Sequence, residues 1–377
     1  MILEGETAYY SKYMILTNYS NIKKLYNYTT MQEIYIEDFT LGEAPYNPVE
    51  DREGKIYYII IGGTLHRNDE QLLQIDTSNL IKNPLYYDSK TDSLWLASFE
   101  SNPAGNFVNF SVFEKPSAAT SNPNPYKISY DDIDSSITSC QAFAVKEDNI
   151  YIAYNNSNIL LTKKNDSSNT KASISLSNIT PALSGEVTDM AVLEDGTVAV
   201  LVNDKNLNPA NQFTLTVGCT VYSRGALVLL SSDLSTYKVY GWTDSPRTIS
   251  AKLNSDSDDP YNGASGNSQI ASITAYIPDY AERNSHFYGP MRIVAIRPKE
   301  LVIADCGANF VLPDYIGKKN GKMFTHNRLM TVNLRNFAIG CKKEFSESEL
   351  KFQYLTISGN LESVTAGWTN LSAENEK

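Results

Sequence analysis

Histidine is scarce, with three in 377 residues, and widely separated histidines give no readable zinc triad. Cysteine is nearly as rare. The four (Cys140, Cys219, Cys306, Cys341) stand far apart with no CxxC pair, which excludes a zinc knuckle. Cys306 and Cys341 fall near opposite ends of adjacent expected strands. A seven-residue strand separates its ends by roughly 20 Å, beyond disulfide reach, so all four cysteines are expected as small buried apolar residues. No run approaches the ~20 apolar residues that span a bilayer, and no charged segment followed by an apolar one opens the chain as a signal peptide would. Basic charge is in deficit: 32 Lys and Arg against 43 Asp and Glu, a net charge of −11. That balance repels phosphate backbones, and no basic stripe carries interleaved aromatics, so nucleic acid is not an expected partner. Helical periodicity is nearly missing; "SESELKFQYL" (346–355) is the one short helix-like stretch.

What is present is strand chemistry. The chain holds 25 Tyr among many Ile, Val, Thr and Phe, and 42% of it is hydrophobic, a composition that folds and favours strands. Its length exceeds what one compact core usually holds, which leaves several domains or one repeat array.

A repeat is visible when the chain is aligned on the residue after each tight turn. The runs begin at Ile56, Leu94, Ile150, Val198 and Leu301, after the polar turns "DREGK", "SKTDS", "KEDN", "LEDGT" and "RPKE". Gly, Asn and Asp supply the backbone freedom and side-chain caps that hairpin turns need. Each run is followed by a third apolar run: "EQLLQID", "GNFVNFSVF", "SNILLTKK", "GALVLLSS" and "NRLMTVNL". A fourth strand is expected within 227–244 and again within 354–370, both ending in Gly-Trp-Thr, with a weaker copy at 14–30. The unit is a four-stranded antiparallel meander, and its spacing of 38 to 103 residues points to a repeat architecture.

The second strands are apolar on consecutive residues, so both of their faces must be covered. A sandwich sheet has one wet face and would alternate. Radially stacked four-stranded sheets cover both. The pattern resembles the β-propeller superfamily, nearest to loose NHL-like six-bladed members. No Gly-His…Trp-Asp pair and no full Asp-box is present; "YYIIIGG" (57–63) is similar to a kelch strand but occurs once. The expectation is an all-β, six-bladed propeller of four-stranded antiparallel blades over 1–371, with seven blades as the alternative. Blades are expected at about 1–30, 31–82, 83–135, 136–186, 187–244 and 289–371, with a long insertion at 245–288 and a frayed tail at 372–377.

In a meander blade, the connection from second to third strand emerges on the same face as the connection to the next blade. The two long connections, 254–288 and 305–328, are therefore expected on one face, and long loops tend to be functional. Within them stand His286, Tyr288, Asp305, Asn309, Asp314, Tyr315 and His326. These are the candidate ligand-binding residues, Tyr offering large contact area with little rotamer loss. Asp305 closes an expected second strand and reads either as a carboxylate orienting a ligand or as a cap on the following turn. No catalytic residue or metal ligand is identified. "GASG" (263–266) lacks the spacing of a serine nucleophile elbow, and the acidic clusters 131–134 and 256–259 read first as solvated loops, the second with a faint echo of a calcium loop. The leading reading is a non-enzymatic binding or scaffold module for a protein or glycan, exported by a bacterium to the periplasm or cell surface, with any signal or lipid anchor removed and no cofactor. The alternative is a propeller hydrolase or lyase acting on a glycan or lactone through Asp and Glu, with calcium as a possible ion.

Overall fold

The structure is a computed structural model. It describes residues 46–344 with interruptions, and the backbones of short strands at 13–17, 23–27, 33–34 and 356–357; side chains are described only within 49–342. Five antiparallel four-stranded sheets follow one another along the chain, each with its strands in sequence order. Blade one comprises Tyr46–Glu50, Ile56–Ile60, Thr64–Arg67 and Glu70–Gln74. Blade two comprises Leu80–Asp88, Ser93–Asn102, Gly105–Glu114 and Tyr126–Asp131. Blade three comprises Cys140–Lys146, Asn149–Tyr154, Asn158–Lys163 and Ala172–Ser175. Blade four comprises Glu186–Val192, Val198–Asp204, Arg224–Leu230 and Tyr237–Tyr240. Blade five comprises Pro290–Arg297, Glu300–Val311, Lys322–Asn333 and Ile339–Glu344. First strands of successive blades lie side by side, so the first strand is innermost. The molecule is a β-propeller.

The second strands show why sequence pattern and stacking agree. Val198, Val200 and Val202 pack toward blade three, against Ala142, Tyr151 and Ile159. The intervening Ala199 and Leu201 pack toward blade five, against Leu301, Ile303 and Met330. Alternate residues thus face different blades, and a run of consecutive apolar residues is what that geometry needs. Blade two meets blade three through Trp95, Phe110, Phe143 and Ile152, and blade one through Tyr57, Ile59, Leu94 and Leu96. At the face bearing the first-to-second and third-to-fourth turns, polar contacts tie neighbours together. Lys146 Nζ donates to Leu193 O at 2.7 Å, Tyr130 Oη to Lys163 O at 3.0 Å, and Tyr151 Oη to Ser232 O at 2.8 Å.

Two expectations are corrected. Among the described residues there are five complete blades, not six. The stretch expected as the first blade forms a three-stranded sheet of Tyr13–Thr17, Lys23–Asn27 and Glu33–Ile34, and Tyr13–Thr17 lies beside the first strand of blade five. Its strands are short, and the second, KKLYN, lacks the consecutive apolar run of a two-faced strand. Second, the outer strand of blade five is Ile339–Glu344, not a segment of 354–370. There Thr356–Ile357 pair with Cys219–Thr220 instead. Gly-Trp-Thr misled because in blade four it follows the fourth strand as a connector. Within 245–288 the described residues include a hairpin, Arg247–Leu253 with Gln269–Ala275. The helix-like 346–355 and the tail 372–377 lie outside the described residues.

Cys140 is buried as expected, whereas Cys341 is only half-buried; burial pushes the Cys140 thiol up to about 12, which leaves it unreactive. No helix among the described residues is long and apolar enough to cross a membrane.

The third-to-fourth turn of blade four gives a local test. Asp233 accepts from the Ser231 and Ser235 hydroxyls, each at 2.7 Å, and from the Ser235 amide at 3.1 Å. Those donors favour the carboxylate and hold its pKa down at about 2. A depressed carboxyl contributes stability above its ordinary pKa that is lost as the pH falls through the folded value. Carboxyl-carbon NMR should show Asp233 titrating near 2, and Ser235→Ala should move that midpoint upward. An ordinary midpoint in the parent protein would show that the turn does not form.

Candidate functional site

All five first strands break register against their second strands: between Tyr46 and Val49, Leu80 and Leu85, Cys140 and Ala142, Val187 and Asp189, and Pro290 and Arg292. A bulge re-aims side chains by adding an unpaired residue. Here the breaks lie toward the start of each innermost strand, the end from which the second-to-third and inter-blade connections also rise.

Around these bulges, polar groups meet across the propeller axis. Asn83 Nδ2 of blade two donates to Thr188 O and Asp189 Oδ1 of blade four, both at 2.8 Å. Arg292 Nη1 of blade five donates to Asn83 Oδ1, and Arg292 Nε lies 3.6 Å from Asp189 Oδ2. Backbone amides complete the Asp189 carboxylate: Met190 N at 3.0 Å and Ile293 N at 2.8 Å. Thr188 Oγ1 donates to Pro290 O at 2.7 Å, and Lys82 Nζ pairs with Glu186 Oε1 at 2.7 Å. Burial raises the Asp189 pKa, with Arg292 and the two amides working against that shift. At this end the chain's own side chains bond to one another across the axis.

The second cluster lies where the long connections are rooted. Asp305 is fully buried; it accepts from Gly289 N at 2.7 Å, Tyr288 N at 3.3 Å and Arg328 Nε at 3.1 Å. Arg328, also buried, donates to His286 O at 3.1 Å and stacks 4.7 Å from the centre of the Tyr288 ring. The strap 286–290 is pinned from its other side by blade four. Gly225 N donates to Phe287 O at 3.1 Å and Phe287 N to Gly241 O at 3.0 Å. Glycine is required at both anchors: a Cβ on Gly225 would sit 2.0 Å from Pro290 Cδ, and one on Gly241, where φ is +71°, 2.3 Å from the Phe287 ring. Arg224 covers Trp242 at 3.8 Å, fixing the chain as it leaves blade four.

Of the seven candidate residues, His286, Tyr288 and Asp305 are therefore brought together through Arg328. Tyr288 and Asp305 are buried, and the Asp305 carboxylate caps the strap. Asn309 and His326 sit on the twelve-residue second and third strands of blade five, opposite Phe324 and Gly307, with their side chains outside the described set. Asp314 and Tyr315 lie outside the described residues, as do 132–135 and 254–268. Asn83, Thr188, Asp189, Arg292 and Arg328 were not singled out from sequence. A signal for the axial group existed: a polar residue two or three places into an otherwise apolar first strand, as at Asp189 in "EVTDMAV" and Arg292 in "PMRIVAIR".

Comparison with known proteins gives no family. No family model matches the chain, and no curated protein matches it. Among solved structures, a protein of unknown function from Bacteroides caccae is 10% identical, with 89% of this chain and 93% of that one covered and a TM-score of 0.44. Regucalcin from Agrobacterium tumefaciens, described as calcium-binding, is 8% identical over 88% of this chain and 85% of its own, with a TM-score of 0.38. The β-propeller domain of Cps50 (Swd1) from Myceliophteria thermophila is 9% identical over 85% and 89%, with a TM-score of 0.37.

Proposed function

We propose that this chain is a non-enzymatic binding or scaffold propeller, exported by a bacterium to the periplasm or cell surface, whose partner is a protein or a glycan. The observation that carries the reading is the bonded axial network. Asp189, the buried carboxylate at the axial end, is occupied by Asn83, Arg292 and two backbone amides, so it stands as a structural group and not as a base or ion ligand. We assign recognition to 254–288 and to 305–328, the latter spanning the ends of the strands Glu300–Val311 and Lys322–Asn333, because their Tyr, Asn and Ser content suits contact. Export accords with the acidic net charge and with the Asn-, Ser- and Thr-rich connections.

A thermal melt separates this from the rival, a calcium-dependent hydrolase or lyase. A bound ion at a hundredfold excess over its Kd stabilises the native state by about 2.7 kcal/mol. The expected result is no difference in Tm between calcium and chelator, and no turnover of chromogenic glycosides or lactones. A rise of several degrees with calcium, or turnover, would favour the enzyme. On a glycan array, any saccharide bound by the parent should be lost when 254–268 is replaced by a Gly-Ser linker. Retained binding with an unchanged circular dichroism spectrum would move the site elsewhere.

A further inference from the structure

We propose that the axial network is a ring clasp that makes blades two, four and five open as one unit. A propeller whose blades touch only their neighbours is a bent one-dimensional array, in which a weakened interface is felt mainly next door and the ends open first. The contacts around the axis do not obey that limit. First strands of blades two, three, four and five touch in ring order, yet Asn83 of blade two bonds Thr188 and Asp189 of blade four past blade three. Arg292 of blade five bonds Asn83 past blades three and four. Lys82 pairs with Glu186 over the same gap, and Val192 N donates to Tyr86 Oη of blade two at 3.4 Å. These bonds join residues 104 to 209 positions apart in the chain. They convert a row of blades into a closed cycle of contacts. Its central members, Asn83, Thr188 and Asp189, are all buried, where an unmade polar contact is costly.

Nothing in this depends on what the protein binds, and its failure would leave the proposed function standing. Hydrogen exchange read by mass spectrometry tests it on the intact chain. Arg292→Met should speed amide exchange by about tenfold, a change of about 1.4 kcal/mol in opening free energy, and by a similar factor in 80–88, 186–192 and 290–297. Ile303→Val, placed between blades four and five and away from the axis, should speed exchange in blade five and its neighbour and leave 80–88 unchanged. Asn83→Ser, read at 290–297, is the reciprocal variant. In the unaltered protein, the three strands should show one common dependence on added urea. A response to Arg292→Met that decays from blade five to blade four and vanishes at 80–88, or separate urea dependences in the parent, would overturn the clasp.

Discussion

Arg328→Met is expected to lower the unfolding free energy by about 3–5 kcal/mol, the usual cost of removing one partner from a buried ion pair. Arg328 is 1% exposed and Asp305 is fully buried. The substitution keeps much of the aliphatic volume but strands a carboxylate out of water with only the Tyr288 and Gly289 amides to hold it. It also removes the donor to His286 O and the cation over Tyr288, so the strap 286–290 loosens. Adding Asp305→Asn should recover part of the loss, because the remaining group is then neutral. Urea denaturation followed by tryptophan fluorescence measures both. A loss under about 1 kcal/mol, the range of an exposed pair, would mean that the pair faces solvent and that the strap is held by other contacts.

Trp95→Ala should be equally damaging, at about 3–5 kcal/mol. Trp95 is 1% exposed; its indole nitrogen donates to Ser93 Oγ at 2.8 Å and its ring meets Phe110 edge-on at 5.7 Å. Phe110 in turn packs 5.1 Å from Phe143 of blade three. The cavity would open between two blades, where backbone shifts cannot close it without parting the sheets. Trp95→Phe keeps most of the volume and should cost a fraction of that. Equal effects of the two substitutions would show that the indole hydrogen bond, and not the packing between blades, carries the loss.

The fold was legible because one physical rule repeats. A strand squeezed between two sheets needs apolar residues at consecutive positions, and "IYYII", "VAVLV" and "ELVIA" all show it. The turns were legible too, since Asp195-Gly196 and its counterparts announce hairpins; Gly196 does adopt a positive φ of 88°. The blade count was harder to read. In the segment around Tyr13–Ile34 only the first strand, YMILT, carries a consecutive apolar run, and the second, KKLYN, does not, so the pattern did not distinguish a full blade from a three-stranded sheet. The axial network was hidden for another reason. It joins single residues from strands far apart in the chain, and its geometry depends on bulges, which leave no composition signature. Asp305 was expected to close a second strand, but that strand runs on to Val311, and the partner Arg328 stands 23 residues later in the facing strand. Only the register Asp305↔Arg328 brings the two together.

The pinned strap has one more consequence. Because Phe287 N and Gly241 O lie 3.0 Å apart, the chain that passes Gly241 on leaving blade four comes back to it at Phe287. A detour with its two feet bonded together is a socket. Lengthening it adds little closure entropy, since that term grows only with the logarithm of length, and the blades on either side keep their contacts whatever the detour contains. Selection can therefore rewrite 245–285 at almost no expense to the ring, provided Gly225 and Gly241 stay as they are. Two glycines thus define where this protein is free to acquire new specificity.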